Sequence, residues 1–363
     1  MLNLNNKEEI IKTQGGLNVI KSVDALQDQL SQAFNESFAV SFSSDYKSVK
    51  RVVVCGMGGS RFPSFIISKL FKNKLSVPYE IVDDYILPGY IDKDTLVVLS
   101  SYSGSTEEVL TCATTALKKG SLITGITTGG DLESFLKKND LPFYLFNPKF
   151  NPSNQPRIGF GYMVGGHLGL LVNLGLIKES HTNINNAINN LRDITKSFSI
   201  NVNAPLNPAK KMAESLIDKY PYYIVSEFLT GVGNAIANQT NETAKNISSF
   251  RIIPELNHHM MEGLKHPALL KDLAVFVFFF SNLYSERVQK RFKITKEVVE
   301  QNSIKTLWHE LKGKNKIEQV FELMAFGSYL SMYLAALYEQ DPTVIPFVDY
   351  FKDQLKKRCY FFT

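Results

Sequence analysis

Cysteine, histidine and tryptophan are scarce in this chain. Its 363 residues include 3 cysteines, 6 histidines and 1 tryptophan. The cysteines, Cys55, Cys112 and Cys359, have no paired spacing and no histidines grouped beside them. This pattern argues against a disulfide framework and against a zinc site, so we expect no metal site. It is typical of a protein that works in the reducing cytoplasm.

The chain also lacks long hydrophobic runs and a strong excess of one charge. The longest apolar run, LAVFVFFF at residues 273–280, is too short to cross a bilayer and predicts a buried strand. The first residues, MLNLNNKEEIIK, are polar, so we expect no secretory signal. The net charge is only +5 and the lysines are scattered. Neither nucleic acid nor a membrane is therefore an expected partner, whereas an anionic metabolite is compatible with this charge.

What the first half does contain is a regular alternation of strands and helices. Short apolar or β-branched runs are separated by segments of helical length, and they predict strands at residues 49–55, 79–83, 95–100, 121–127 and 142–146. This alternation is typical of a parallel, doubly wound sheet. The proline- and asparagine-rich residues 147–156 predict a loop.

A second alternation follows, after a glycine-punctuated and then polar stretch. It predicts strands at residues 222–226, 251–254 and 273–280, and helices at residues 209–219, 234–246, 319–337 and 346–356. Residues 4–48 also have a helical pattern. The sequence thus predicts an α/β fold with two doubly wound domains, each a parallel sheet flanked by helices, and a closing C-terminal helix. We expect an N-terminal domain at 1–165, a connection at 166–200 and a C-terminal domain at 201–363.

The segment TLVVLSSYSGSTEEVL, residues 95–110, combines a buried strand with a cluster of hydroxyls. Ser105 and Glu108 have the spacing of a capping box, which predicts the start of a helix. A strand that ends at a helix N-terminus presents free N–H groups to an anion, and short hydroxyls add donors. The segment therefore predicts a phosphate site that includes Ser101, Ser103 and Thr106. The ordinary alternative is a well-capped loop without a ligand.

A glycine-rich turn strengthens the phosphate interpretation. The strand at 49–55 leads into GMGGS, residues 56–60, where Gly58 and Gly59 allow a ligand to approach the backbone and Ser60 supplies a hydroxyl. Two neighbouring strand ends of one sheet would then face a common anion.

Four further residues could carry chemistry, although each has an ordinary interpretation by itself. Arg157 could be a surface arginine, Glu242 a solvated helical glutamate and His258 a loop histidine. Lys352, in the last predicted helix, could be an amphipathic surface lysine. None of these residues supports a function without the others.

Together with the two turns, these residues resemble the sugar isomerase (SIS) fold, and more narrowly the bifunctional phosphoglucose/phosphomannose isomerases. The motifs that carry the resemblance follow the family's order over most of the chain: GMGGS at 56–60, SYSGSTEE at 101–108, QPRIGFGYM at 155–163, NETAKN at 241–246, PELNHH at 254–259 and DPT at 341–343. The chain departs from the family at His259, where asparagine is usual.

The resemblance implies a role for each candidate residue. Glu242 would transfer the proton, Arg157 would stabilise the enediolate, and His258 would open the sugar ring with help from Lys352. The phosphate would be held by the two turns, through Gly58, Gly59, Ser60, Ser101, Ser103 and Thr106. The resemblance also implies two SIS domains, no cofactor, and a homodimer whose active site lies between the subunits, with the histidine contributed by the partner.

The function implied by the resemblance is the interconversion of glucose 6-phosphate and fructose 6-phosphate, with mannose 6-phosphate as an expected further substrate. Two alternatives stay open. One is another SIS ketol-isomerase that acts on a different sugar phosphate. The other is a non-catalytic SIS protein that binds a phosphosugar and regulates a partner, an interpretation that only His259 favours.

Overall fold

Two parallel sheets form the framework of the protein. The computed structural model describes residues 2–13 and 15–358. The first sheet has the strand order β2-β1-β3-β4-β5, with β1 to β5 at Arg51–Gly56, Tyr79–Val82, Thr95–Ser100, Leu122–Thr127 and Phe143–Leu145. The second has the order β7-β6-β8-β9, with β6 to β9 at Tyr220–Ser226, Ser249–Ile253, Ala274–Phe280 and Lys305–Glu310. The predicted α/β fold with parallel sheets flanked by helices is confirmed.

The helices cover both faces of the sheets. In the N-terminal half they are α1 to α6, at Lys7–Lys12, Gly16–Asp24, Leu26–Phe38, Phe62–Leu70, Glu107–Lys118 and Gly130–Lys138. The middle of the chain contributes α7 to α9, at Phe160–Asn173, His181–Thr195 and Pro208–Ser215. The C-terminal half contains α10 to α15, at Thr230–Ala244, Leu256–His259, Leu270–Leu273, Glu286–Gln301, Lys316–Leu337 and Pro346–Arg358.

The central strands are buried over their whole length. Every residue of β3 and every residue of β8 is buried, as expected for strands that are covered by helices on both faces. Gly56 at the end of β1 pairs with Ser100 at the end of β3. The two turns that follow these strands therefore start side by side.

Several elements differ from the sequence prediction. Strand β9 and helix α13, Glu286–Gln301, were not predicted, because β9 lies at the sheet edge with one buried residue and α13 is strongly polar. The helical pattern of residues 4–48 is divided into α1, α2 and α3. Gly15 lies between α1 and α2 with φ +74°, a conformation that favours glycine and interrupts a helix.

Helix α14, Lys316–Leu337, is long and apolar enough to cross a membrane by length and composition alone. Its most apolar window is nevertheless completely buried inside the protein, where α14 packs against α8, α9 and α10. This burial is typical of the central helix of a large core. Cys55 and Cys112 are free and buried, while Cys359 lies outside the described residues. The division at 1–165, 166–200 and 201–363 stays a prediction.

Candidate functional site

The turns after β1 and β3 are hydrogen-bonded to one another. The hydroxyl of Ser100 donates to the carbonyl oxygen of Ser60 over 2.7 Å, and the backbone N–H of Tyr102 donates to Oγ of Ser60 over 2.9 Å. Ser60 and Ser101 are both buried. The two segments form one rigid corner at the carboxyl end of the first sheet, where open α/β sheets bind their ligands.

The hydroxyls of the second turn pair with each other. Oγ of Ser101 lies 2.7 Å from Oγ1 of Thr106, and Oγ of Ser103 lies 3.0 Å from Oγ of Ser105. The predicted capping box at Ser105 is wrong. Helix α5, Glu107–Lys118, has Thr106 as its N-cap, and the Thr106 side chain makes no capping hydrogen bond because it faces Ser101 instead. The first N–H groups of α5 thus lack this side-chain acceptor, which suits an anion.

Glycine is favoured at one position of this corner and required at another. Gly58 has φ +50°, and the space beside its α-carbon is open. Gly104 has φ +72°, and a β-carbon there would lie 1.8 Å from the carbonyl oxygen of Gly129. Gly59 lies close to the backbone of Arg157, because a β-carbon at position 59 would lie 3.5 Å from the backbone nitrogen of Arg157. The turns and Arg157 are therefore direct neighbours.

The guanidinium of Arg157 is buried and held by the protein itself. Only 3% of its side chain is exposed. Its Nε donates to Oγ1 of Thr243 over 3.3 Å and its Nη1 donates to Oε1 of Gln155 over 2.9 Å. Its Nη2 donates to the carbonyl oxygens of Pro342 and Thr343, at 2.6 and 3.0 Å. The position of this positive charge is fixed before any ligand arrives.

Glu242 is the acidic neighbour of Arg157. Its Oε2 lies 3.5 Å from Nη1 of Arg157, and 38% of its side chain is exposed. Glu242 belongs to the last turn of α10, Thr230–Ala244, which packs closely on α4 at Gly231. From the same helix, Nε2 of Gln239 donates to the carbonyl oxygen of Arg157 over 2.8 Å. Helix α10 therefore positions both members of the pair.

Burial and charge act in opposite directions on Arg157. Burial lowers the pKa of its guanidinium, while the carboxylates of Glu242, Asp341 and Asp349 raise it. The net pKa is below the ordinary value of arginine. Because an ordinary arginine titrates far above neutral pH, a lowered pKa is compatible with a guanidinium that keeps its charge at pH 7.

In the part of the chain that the structure describes, His258 and Lys352 make no direct hydrogen bond or ion pair with either member of this pair. Both residues are exposed, His258 in the short helix α11 and Lys352 in α15. Among the residues that the structure describes, no hydrogen bond or ion pair joins either side chain to Arg157 or Glu242. The ring of His258 lies beside that of His259, with the two ring centroids 6.4 Å apart. Within one chain the backbone of Arg157 thus lies beside Gly59 and its guanidinium beside Glu242. Lys352 shares α15 with Asp349, whose charge acts on Arg157.

Sequence reasoning did not single out five residues of this site, namely Gln155, Gln239, Thr243, Lys245 and Asp341. Lys245 stands inside the NETAKN motif and Asp341 inside DPT, so the motifs themselves contained the signal. Oδ1 of Asp341 accepts hydrogen bonds from the N–H and hydroxyl of Thr343, at 2.7 and 2.6 Å, and so shapes the segment that Arg157 contacts. Within residues 2–13 and 15–358, no group of three or more histidine, cysteine, aspartate or glutamate residues is arranged to hold a metal ion.

Comparison with known proteins places this site in a family. Residues 206–355 match the bacterial phospho-glucose isomerase C-terminal SIS domain. Over most of its length the chain is similar to a bifunctional phosphoglucose/phosphomannose isomerase from Caldicellulosiruptor bescii, with 31% identity over 93% of this chain and 98% of the relative. The chain belongs to the bifunctional phosphoglucose/phosphomannose isomerase family. A second member, from Aquifex aeolicus, is 28% identical over 87% of this chain and 93% of its own length.

Solved structures support the fold of this family member. A hypothetical protein from Thermus thermophilus superposes with a TM-score of 0.73 and 17% identity, covering 93% of this chain and 90% of its own. A glucose-6-phosphate isomerase like protein from the same organism gives a TM-score of 0.61 at 17% identity, covering 94% and 98% of the two chains. At these identities the similarity concerns the fold alone.

Proposed function

We propose that this family member is an aldose–ketose isomerase that interconverts glucose 6-phosphate and fructose 6-phosphate and also accepts mannose 6-phosphate. One observation carries the proposal beyond family membership. The fixed guanidinium of Arg157 lies 3.5 Å from the carboxylate of Glu242, and the backbone of Arg157 lies beside Gly59 in the glycine-rich turn of the first sheet. A proton-transfer pair beside an anion site suits a sugar phosphate whose reacting carbons lie away from its phosphate.

The turns would bind the phosphate. In this proposal the group is held by the backbone and hydroxyls of Gly58, Gly59, Ser60, Ser101, Ser103 and Thr106. The paired hydroxyls can rotate to donate to phosphate oxygens, and the N-terminus of α5 favours a negative charge. Binding energy from the phosphate would position the reacting carbons.

Glu242 would move the proton between C1 and C2 of the open-chain sugar. A carboxylate can remove a proton from one carbon and return it to the neighbouring carbon of a cis-enediolate. The partial exposure of the Glu242 side chain leaves its oxygens accessible to a ligand. This role requires neither a redox step nor a metal.

Arg157 would stabilise the oxyanion that develops during this transfer. Four of its five N–H groups already donate to Gln155, Thr243 and the carbonyls of Pro342 and Thr343, and Nη1, which holds the fifth, lies 3.5 Å from Oε2 of Glu242. Its contribution would therefore be mainly the field of a fixed, desolvated charge, which needs no reorganisation during the reaction.

Ring opening would need the remaining residues and a second subunit. We propose a homodimer in which the partner subunit's His258 completes the site. As the bond between C1 and the ring oxygen breaks, Lys352 and the partner's His258 would together take the proton of the C1 hydroxyl and protonate the ring oxygen. Two observations support this arrangement: His258 has no bond to Arg157 or Glu242 within its own chain, and α15, which carries Lys352, exposes Phe347, Tyr350 and Phe351. Exposed aromatic side chains on one helix are typical of a surface that a partner covers.

The proposal includes the cell compartment and the organisation of the chain. We place the enzyme in the cytoplasm, without cofactor, membrane or nucleic-acid partner. We retain an N-terminal domain at 1–165 that binds the phosphate, a connection at 166–200, and a C-terminal domain at 201–363 that carries Glu242, His258 and Lys352.

A coupled assay on the purified protein tests the proposal. Glucose 6-phosphate and mannose 6-phosphate are each offered with and without a chelator, and we expect turnover of both that the chelator leaves unchanged. Turnover of only a different sugar phosphate would favour another SIS ketol-isomerase. Tight binding of fructose 6-phosphate without any turnover would favour the regulatory alternative.

A further inference from the structure

Lys245 ends the helix that carries Glu242. It is the C-cap of α10 and has φ +56° and ψ +26°, a left-handed conformation that is unfavourable for a residue with a β-carbon. From this position its side chain folds back along the helix. Its Nζ donates to the carbonyl oxygen of Glu242 over 2.8 Å and lies 3.4 Å from that of Thr243.

The ammonium of Lys245 belongs to the same group of charges as the Arg157–Glu242 pair. Partial burial, and next the guanidinium of Arg157, lower the pKa of Lys245 to about 8, while Asp341 and Glu242 act against this shift. These are the charged groups that face it, from the loop before α7, from α10 itself and from the segment before α15. Its hydrogen bonds go to carbonyls, so the ammonium contacts the main chain of Glu242 and not its carboxylate.

We propose that Lys245 is a positioning residue for the isomerisation: its ammonium binds the main chain of Glu242 and so keeps the carboxylate beside Arg157. The inference rests on the proposed function, because it needs Glu242 as the base. Loss of this bond would free the carbonyl of Glu242 and let its side chain shift relative to Arg157, while the backbone N–H of Lys245 still bonds to the Thr240 carbonyl. A displacement of about 1 Å in a reacting group can cost on the order of 100-fold in rate.

A purely structural role is the ordinary alternative, because lysine often caps the last carbonyls of a helix. Glycine separates the two interpretations. At a left-handed C-cap, glycine is the favoured residue, so Lys245→Gly relieves the backbone while it removes the ammonium. A structural cap predicts unchanged stability and unchanged activity in this variant. A positioning role predicts unchanged stability with lost activity.

The experiment compares Lys245→Gly, Lys245→Met and Lys245→Arg with the wild type, using glucose 6-phosphate turnover and thermal unfolding. We expect kcat to fall about 10- to 100-fold in the glycine and methionine variants, with KM within about twofold, and arginine to restore most of kcat. Lys119→Met is the matched control, because Lys119 is the C-cap of α5 and its Nζ also donates to a carbonyl, that of Gly89, over 3.2 Å. It should keep the wild-type kcat.

The pH profile provides the readout that a structural cap would not change. The wild-type kcat should decline above about pH 8, where the ammonium loses its proton. In Lys245→Arg the decline should move to higher pH, because guanidinium stays charged. A wild-type kcat and profile in Lys245→Gly would overturn the inference while leaving the proposed function intact. A wild type without any isomerase activity would overturn both.

Discussion

The two sheets share a topology but end in turns of opposite chemistry. After β1 and β3, the first sheet presents paired hydroxyls and a helix whose N-cap threonine makes no capping bond. After β6 and β8, the second sheet supplies its own anion. Glu227, at φ +42°, directs its carboxylate to Ser285, the N-cap of α13, and accepts from the Ser285 N–H over 3.1 Å and from its hydroxyl over 2.6 Å.

The same difference recurs at the end of β9. The carboxyl group of Glu322 accepts hydrogen bonds from the backbone N–H groups of Lys312 and Gly313, each over 2.8 Å. That of Glu318 accepts one from the N–H of Lys314 over 2.7 Å. Carboxyl groups of the protein thus occupy positions at the strand ends of the second sheet. The same strand-to-helix arrangement can therefore bind an anion only where its hydrogen-bond donors are not already paired with a carboxyl group of the protein. We therefore expect anion binding at the first sheet alone and proton transfer on α10.

Glu242→Gln should produce the largest effect, because it removes the base and leaves the turns of the first sheet intact. General base catalysis contributes on the order of 10²- to 10⁴-fold, so kcat should fall by about that factor. Steady-state kinetics measure this loss, and fructose 6-phosphate binding by calorimetry is the control. A near-normal kcat would remove Glu242 from the mechanism.

Ser101→Ala combined with Thr106→Ala should weaken binding rather than chemistry. Hydrogen bonds to a charged group contribute about 1.5–3 kcal/mol each, so KM should rise at least tenfold while kcat changes little. Kinetics on glucose 6-phosphate measure the split, and circular dichroism checks the fold. An unchanged KM would contradict the assignment of the phosphate to this corner.

Glu322, at the end of the second sheet, should make the stability of the protein depend on pH. Burial raises the pKa of its carboxyl to about 7, against an ordinary value of 4.5. The folded state therefore retains a proton that the unfolded state has lost, so this group makes the free energy of unfolding decrease as pH rises from about 4.5 to 7. Urea unfolding across this range should show the decrease in the wild type and a smaller slope in Glu322→Gln. Equal slopes would contradict the buried, protonated state.

Glu227→Gln should have the smallest effect on the enzyme. The variant weakens the cap of α13, which costs about 0.5–2 kcal/mol of stability. KM for glucose 6-phosphate should stay within about twofold of the wild type, because the substrate does not use the second sheet. A large rise in KM would contradict the proposal that the substrate binds at the first sheet and not at the second.

The central elements of the fold could be predicted from the sequence because their residues are all buried and therefore mostly apolar. Strands β3 and β8 are continuous apolar runs, and both are buried throughout. Strand β9 and helix α13 were missed because an edge strand and a polar surface helix have weak hydrophobic patterns. The prediction of a capping box was wrong because the hydroxyl of Thr106 bonds to that of Ser101. Sequence spacing does not reveal this tertiary contact.

The site was predictable only in part. The residue types and motifs located the hydroxyl turns, Arg157 and Glu242. The hydrogen bonds that fix Arg157 come from segments up to 186 residues away in the chain, at Thr343, and no local pattern indicates them. Lys245 was overlooked because its importance lies in a backbone conformation and a folded-back side chain. The roles of Arg157, Glu242, His258, Lys352 and the two turns all stay predictions.

Calorimetric titration of fructose 6-phosphate into the Glu242→Gln protein tests the central claim most directly, because we expect this variant to bind the sugar phosphate without turning it over. We expect one molecule bound per chain, and loss of that binding when Ser101→Ala and Thr106→Ala are added to the same protein. Undiminished binding in the combined variant would contradict the claim that the first sheet selects the phosphate.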